Sequence, residues 1–229
     1  MNFDIKKQNI NFEAGLYSIG ADPQANAFYF DNEAPLHQFY AHAFSLESRL
    51  VSNAEYLEFV EQGGYQNPAY WLSEAWQLIN KENKRHPLYW HKTEQGWCEY
   101  TLNGLKKLEA QMPVKHLNYF EANAFANFKG KRLPSEQEWE IAATSGHPDL
   151  KQMFNQLWQW TSSNYGAYPG FKPVSGAVGE YNGKFMVNQY VLRGGSIATP
   201  KNHIRPSYRN FFYPGASWQF SGTRLAEPL

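Results

Sequence analysis

A single cysteine, Cys98, leaves this chain nothing with which to close an internal disulfide, so the fold has to rest on packing. The same scarcity fits a reducing compartment. Neither sign of charge dominates: 21 basic residues meet 21 acidic ones, and no basic run stands out. Proteins that grip a nucleic-acid backbone concentrate positive charge on one face, so nucleic acid is not an expected partner. No apolar run approaches a membrane span, and the polar start MNFDIKKQN lacks the apolar stretch of a signal peptide. The expectation is a cytoplasmic protein that does not enter a membrane. Aliphatic residues are modest in number, whereas 8 Trp, 15 Tyr and 16 Phe are not. The core should therefore be built largely from rings whose polar tips need partners.

The length of 229 residues suits one domain spanning 1–229, with 1–10 as a loose lead-in. Ile10 to Ile19 reads as a first strand, closed by Gly20-Ala21-Asp22-Pro23. Residues 36–47 place Phe39, Ala41, Ala43 and Ser45 on one alternating face, as a half-buried strand would. Three helix starts follow the capping-box pattern: Ser52 with Glu55, Asn118 with Glu121, and Ser135 with Glu138. Their stops fall at Gly63-Gly64, Gly130 and Gly146. A weaker helix is expected from Ser73 to about Asn83. Glu94-Gln95-Gly96 and Asn103-Gly104 mark hairpin turns between Pro87 and Pro113. Beyond Gly146 long loops rich in Gly, Pro, Asn and aromatics alternate with short strands such as Tyr190–Leu192. Ordered loops of this kind are where binding sites sit.

Several phrases occur in an order that resembles the formylglycine-generating-enzyme superfamily. Among them are Val51-Ser52-Asn53-Ala54-Glu55-Tyr56, Lys131-Arg132-Leu133-Pro134-Ser135-Glu136, Leu157-Trp158-Gln159-Trp160-Thr161, Leu192-Arg193-Gly194-Gly195-Ser196 and Gly222-Thr223-Arg224-Leu225-Ala226. The resemblance implies an irregular, C-type-lectin-related α+β fold with few helices, short antiparallel strands and long ordered loops. Tyr70-Trp71-Leu72-Ser73-Glu74-Ala75-Trp76, Tyr168-Pro169-Gly170-Phe171 and Trp218-Gln219-Phe220-Ser221-Gly222 are similar to one branch, the C-terminal domain of the EgtB-type ergothioneine-biosynthesis sulfoxide synthases. Those enzymes join a thiol sulfur to the imidazole of a histidine derivative, using dioxygen and a non-haem iron held by an N-terminal helical domain.

Two catalytic sets implied by the resemblance are missing from the sequence. Formylglycine-generating oxidases need cysteines near the C-terminal end, and Ile204–Leu229 contains none, so that activity is not expected. The helical iron-binding domain is absent as well. His37 and His42, or His86 and His91, are not spaced to converge, and His116, His147 and His203 stand alone. The reading is therefore the substrate-binding half of a split sulfoxide synthase. It has no cofactor or metal of its own, and Fe(II) comes only from a partner. That partner would be a helical, DinB-like subunit, and a homodimer is the other assembly considered. A non-catalytic binding module for a small molecule or protein on the same fold is the alternative.

Candidate residues cluster in the last loops. Arg205 and Arg209 offer planar forks suited to a substrate carboxylate, although internal ion pairs would explain them equally. Asn210, Phe212, Trp218 and Gln219 would complete the substrate pocket. The resemblance implies a tyrosine as proton donor, with Tyr168 the first candidate and Tyr165 the second. It also implies an Asp and an Arg gripping a γ-glutamyl-cysteine substrate, and those places hold Phe212 and Ala216. A smaller thiol such as cysteine is therefore expected. Glu180 and Asn182 have oxygen ligands that suit the calcium sites of the superfamily, but a simple turn explains them too, and metal stays unassigned. The uncharged segment Phe211–Trp218 is expected to lie partly on an open concave face.

Overall fold

The computed structural model describes residues 5–25, 27–173, 175–176 and 182–229. The α+β expectation holds: among the described residues four α-helices and twelve short strands are joined by long loops. Strands β1 (Asn9–Phe12) and β2 (Gly15–Ile19) replace the single strand expected from Ile10 to Ile19. Their partners β3 (His37–Ala41) and β4 (Phe44–Glu47) divide the second expected strand in the same way. Asn9 pairs with Glu47 and Phe12 with Phe44, then Gly15 with Ala41 and Ile19 with His37. The register is thus continuous across an unpaired gap in both strands. The gap lets the two halves face different surroundings. β2 and β3 keep an alternating pattern, whereas β4 is buried at every position. The single alternating face expected through Ser45 fails there because β4 is the middle strand of three. It lies between β1 and β12 (Ala226–Pro228), so the two ends of the described chain share a sheet.

All three capping boxes form. They open α1 (Asn53–Glu61), α3 (Tyr119–Phe128) and α4 (Glu136–Thr144). In each, the cap side chain accepts from the backbone N–H three residues on, and the Glu at that place accepts from the cap N–H. Gly63, Gly130 and Gly146 follow their helices with positive φ, as the stops required. Helix α2 (Ser73–Lys81) is shorter than the expected run to Asn83, where Asn83 itself turns left-handed. On α1 the buried apolar side chains are Tyr56 and Phe59, with Leu57 and Val60 half-buried against the same core.

The hairpin region is a meander of β5 (Trp90–Thr93), β6 (Gly96–Thr101) and β7 (Gly104–Lys107). Cys98 sits half-buried on β6. The loop-rich second half is organised by β8 (Trp158–Asn164), whose first four residues are all buried. It pairs antiparallel with β9 (Tyr190–Arg193) and parallel with β11 (Ser221–Gly222), and β10 (Asn210–Phe212) flanks β9.

Rings dominate the larger core, where Tyr56, Phe59, Tyr65, Trp71, Trp90, Phe125 and Trp160 pack between α1, α3 and β8. The Trp90 indole N–H is buried without a partner, but other polar tips are paired as burial demands: the Tyr65 hydroxyl donates to Glu121 at 2.7 Å, and the Trp160 indole N–H donates to the Leu117 carbonyl at 2.8 Å. A smaller core holds β1–β4 against Trp139 of α4. Gly194 has φ +96°, and a Cβ there would collide with the Met153 carbonyl and lie 2.8 Å from Gln159 Nε2. That is the physical reason for a glycine after Arg193. No described helix is long and apolar enough to cross a membrane.

The α1 cap also makes a pH-sensitive link. Burial pushes the Glu55 carboxyl up, but hydrogen bonds from Arg49, Lys7 and the Ser52 backbone outweigh it and hold its pKa at about 2. A depressed folded-state pKa stabilises above the unfolded value near 4.5 and loses that contribution as pH falls toward 2. Glu55→Gln should therefore cost about 1–2 kcal/mol at pH 7, allowing for solvent screening. Thermal melts should show the gap to the wild type narrowing steadily below pH 4.5. A gap independent of pH would refute the assignment.

Candidate functional site

Helix α4 carries Glu136 and Glu140 one turn apart, so both project from the same side, and both are buried. Burying two carboxylates is costly unless each is paired and hydrogen-bonded. The pairs come from the last loops. Arg209 meets Glu136 through two bonds, Nε to Oε2 at 2.8 Å and Nη2 to Oε1 at 2.9 Å. Its remaining donors reach the carbonyls of Asn32 and Gly166, each at 2.8 Å. Arg193 pairs with Glu140, and its other guanidinium nitrogen reaches the Ser207 carbonyl at 2.7 Å. Two guanidinium groups and two carboxylates leave this interior cluster neutral. A second fork lies nearby, where Arg205 grips Glu33 and the Ser207 hydroxyl adds a bond of 2.7 Å to the same carboxylate.

The two candidate tyrosines sit on this cluster. The Arg209 guanidinium lies 3.9 Å from the centre of the Tyr168 ring. The Tyr168 hydroxyl donates to Glu136 at 3.1 Å and accepts from Arg193 at 3.3 Å. Burial raises its pKa far above the phenol range; Arg193 opposes this, and Glu136 adds to it. Tyr165 stacks on Phe211 with ring centres 3.9 Å apart and accepts from Asn32 Nδ2 at 2.9 Å. Its pKa is pushed up to about 12, chiefly by burial. Both phenols stay protonated, both are buried, and both are engaged within the chain.

The structure thus separates the sequence-predicted residues into two groups. Arg209, Tyr165 and Tyr168 meet in the interior, where Arg209 is 2% exposed, and Arg205 is committed to Glu33 beside them. Asn210 is half-buried and its Oδ1 accepts from the Phe211 N–H at 3.0 Å. Gln219 is buried, with Nε2 donating to the Ala216 carbonyl at 3.3 Å. Phe212 and Trp218 form the second group, edge to face with ring centres 5.4 Å apart. Trp218 is 65% exposed and Tyr213 58%, so the Phe211–Trp218 segment does present rings to solvent. Trp218 also borders an open cleft of about 650 Å³, whose lining includes neither Phe212 nor Arg205 nor Arg209. Asn182 is buried against Asp31, and Glu180 lies outside the described residues.

Among the described residues no three His, Cys, Asp or Glu side chains come together as metal ligands. The described residues therefore do not fit the non-haem iron that the resemblance implies.

A family model for the sulfatase-modifying factor enzyme 1-like domain matches residues 4–150 and 147–229, which is nearly the whole chain. The chain belongs to this family. Within it, the hercynine oxygenase of Mycobacterium tuberculosis is 30% identical over 252 residues, covering 92% of this chain and 58% of that protein. The ergothioneine biosynthesis protein 1 of Schizosaccharomyces pombe is 27% identical, over 87% of this chain and 28% of that protein. The chain thus spans little more than half the length of the mycobacterial relative. Among solved structures, Treponema denticola variable protein 1 superposes with a TM-score of 0.60 over 97% of this chain and 99% of its own, at 14% identity. That likeness shows the family fold alone.

Sequence reasoning found the arginines and missed their partners. Glu136 follows a cap serine directly, and acids in a first helical turn read as dipole partners. Only the spacing of Glu136 and Glu140, together with a surplus of late arginines, hinted at an interior role.

Arg209→Met should strand the buried Glu136 carboxylate and lower the unfolding free energy by about 3–5 kcal/mol. Trp218→Ala, at an exposed position, should change it by less than about 0.5 kcal/mol. Urea denaturation of both variants checks this. Equal losses would mean that the division into interior and open groups is wrong.

Proposed function

We propose that this chain is the substrate-shaping half of an oxygen-dependent, non-haem-iron sulfoxide synthase of the hercynine-oxygenase kind. The observation that carries the reading is the match to those proteins along 92% of the chain, at a length that spans only 58% of theirs. The iron ligands belong to a helical module beyond the residues described here. The overall reaction balances as thiol plus imidazole C–H plus dioxygen giving an aryl sulfoxide and water. In it, O2 accepts the four electrons released by forming the C–S bond and oxidising the sulfur.

The chain's own contribution is a shaped surface. Arg193, Arg205 and Arg209 hold the final loops from inside, and Phe212 and Trp218 form the face turned toward the other module. The rings of that face exclude water and favour a compact thiol, since Phe212 and Ala216 give no charge to a γ-glutamyl group. Cysteine is the thiol this surface suits, with a histidine derivative as the acceptor.

Mass spectrometry of reactions containing Fe(II), a thiol and Nα-trimethylhistidine tests this. The chain alone should give no sulfoxide. Adding a helical iron-binding module of a hercynine oxygenase should give product, at least tenfold faster with cysteine than with γ-glutamyl-cysteine. Phe212→Asp combined with Ala216→Arg should narrow or reverse that preference. A module that binds this chain yet never yields product would contradict the proposal.

A further inference from the structure

The cleft beside Trp218 has features that the arginine cluster does not explain. One wall is the tip of the β6–β7 hairpin, where Leu102 is 96% and Tyr100 59% exposed. Ile197, 65% exposed, and Trp218 line the cleft as well. So many bare apolar side chains round one concavity is unusual for a surface that meets only water. A volume of about 650 Å³ suits a small molecule.

The cleft is also built at a conformational cost. Tyr89 and His116 both line it, and both are non-glycine residues in the left-handed region, with φ +71° and +62°. Such backbones cost free energy and persist where the surroundings over-determine them, often at ligand clamps. Here the rings meet edge-on with centres 4.8 Å apart, and His116 packs against Phe220 on its other side, at 5.2 Å. The next residue is fixed on both its polar groups: the Leu117 carbonyl accepts from Trp160 and from Ser221 Oγ at 2.8 and 2.6 Å, and its N–H donates to the Ser221 carbonyl. His116 is 7% exposed, and its Nδ1 has no hydrogen-bond partner. Burial, and then Lys115, lower its pKa, so the ring is a neutral part of the wall.

Lys115 carries a charge into the lining, beside the polar Thr101, Asn103 and Gln156. Its ammonium meets both Glu99 oxygens, at 2.8 and 2.7 Å. An ammonium has three donors, so one is left for a ligand. The pair is already neutral, and a ligand carboxylate would approach Glu99 as well as Lys115. A neutral acceptor oxygen suits this handle better than an anionic one.

From this geometry we propose that the cleft between the β6–β7 hairpin and Trp218 is a binding site for a small, flat aromatic molecule bearing a neutral acceptor oxygen. Its ring lies against Trp218, and its oxygen takes the remaining Lys115 proton. The site shares Trp218 with the face proposed to meet the helical module, but binding here needs no second module.

Indole-3-acetamide and indole-3-acetate, titrated into the purified chain by ligand-observed NMR, are suitable probes. The acetamide should bind, with the acetate at least tenfold weaker. Trp218→Ala should weaken the acetamide at least tenfold. The paired change K115M/E99Q, which leaves neither charge stranded, should bring the two probes to within about twofold of each other. Binding of neither probe to the wild-type chain, a preference for the acetate, or indifference to Trp218→Ala would each overturn the proposal.

Discussion

The two-bond contact between Glu136 and Arg209 is the constraint on which the second half of the molecule depends. Glu136 stands on the first turn of α4, and Arg209 immediately precedes the strand Asn210–Phe212. Through its other donors Arg209 also fixes the carbonyls of Asn32 and Gly166, so one side chain ties the helix to three loops. Arg193 repeats the arrangement one helical turn along, against Glu140. Buried ion pairs seldom add much net stability against an apolar alternative, but removing one partner is expensive. Such a cluster selects one loop arrangement over others. That matters in a stretch with little regular structure to hold it.

With the loops held from inside, the surface is free to carry rings. Trp218 does not have to fill the core, and Phe212 packs against it only in part, because Trp158, Trp160 and the rings of α1 and α3 already fill it. The same division separates two kinds of chemistry. The charged groups are consumed internally, and the open face is aromatic and nearly uncharged. A surface of that kind shapes and dries a pocket without supplying a metal.

Much of the first half was legible in the sequence because its signals are local. Ser52, Asn118 and Ser135 each name a helix start through a glutamate three residues on, and Gly63, Gly130 and Gly146 name the stops. The strand from Ile10 to Ile19 was read as one because its break at Glu13-Ala14 follows from a change of packing partners far along the chain. Late arginines could be named as candidates, but whether Arg209 faces a ligand or Glu136 depends on a contact across 73 residues. The left-handed backbones of Tyr89 and His116 leave no mark in the sequence at all, so the cleft they floor appears only in three dimensions.

Hydrogen–deuterium exchange on the Glu136→Gln variant tests the central claim most directly. If the Glu136–Arg209 contact ties the loops together, protection should fall in concert around Asn32, Gly166 and Tyr208–Phe212. The amides of α1 and α3 should exchange as in the wild type. Loss of protection confined to α4, with those three loops unchanged, would contradict the account.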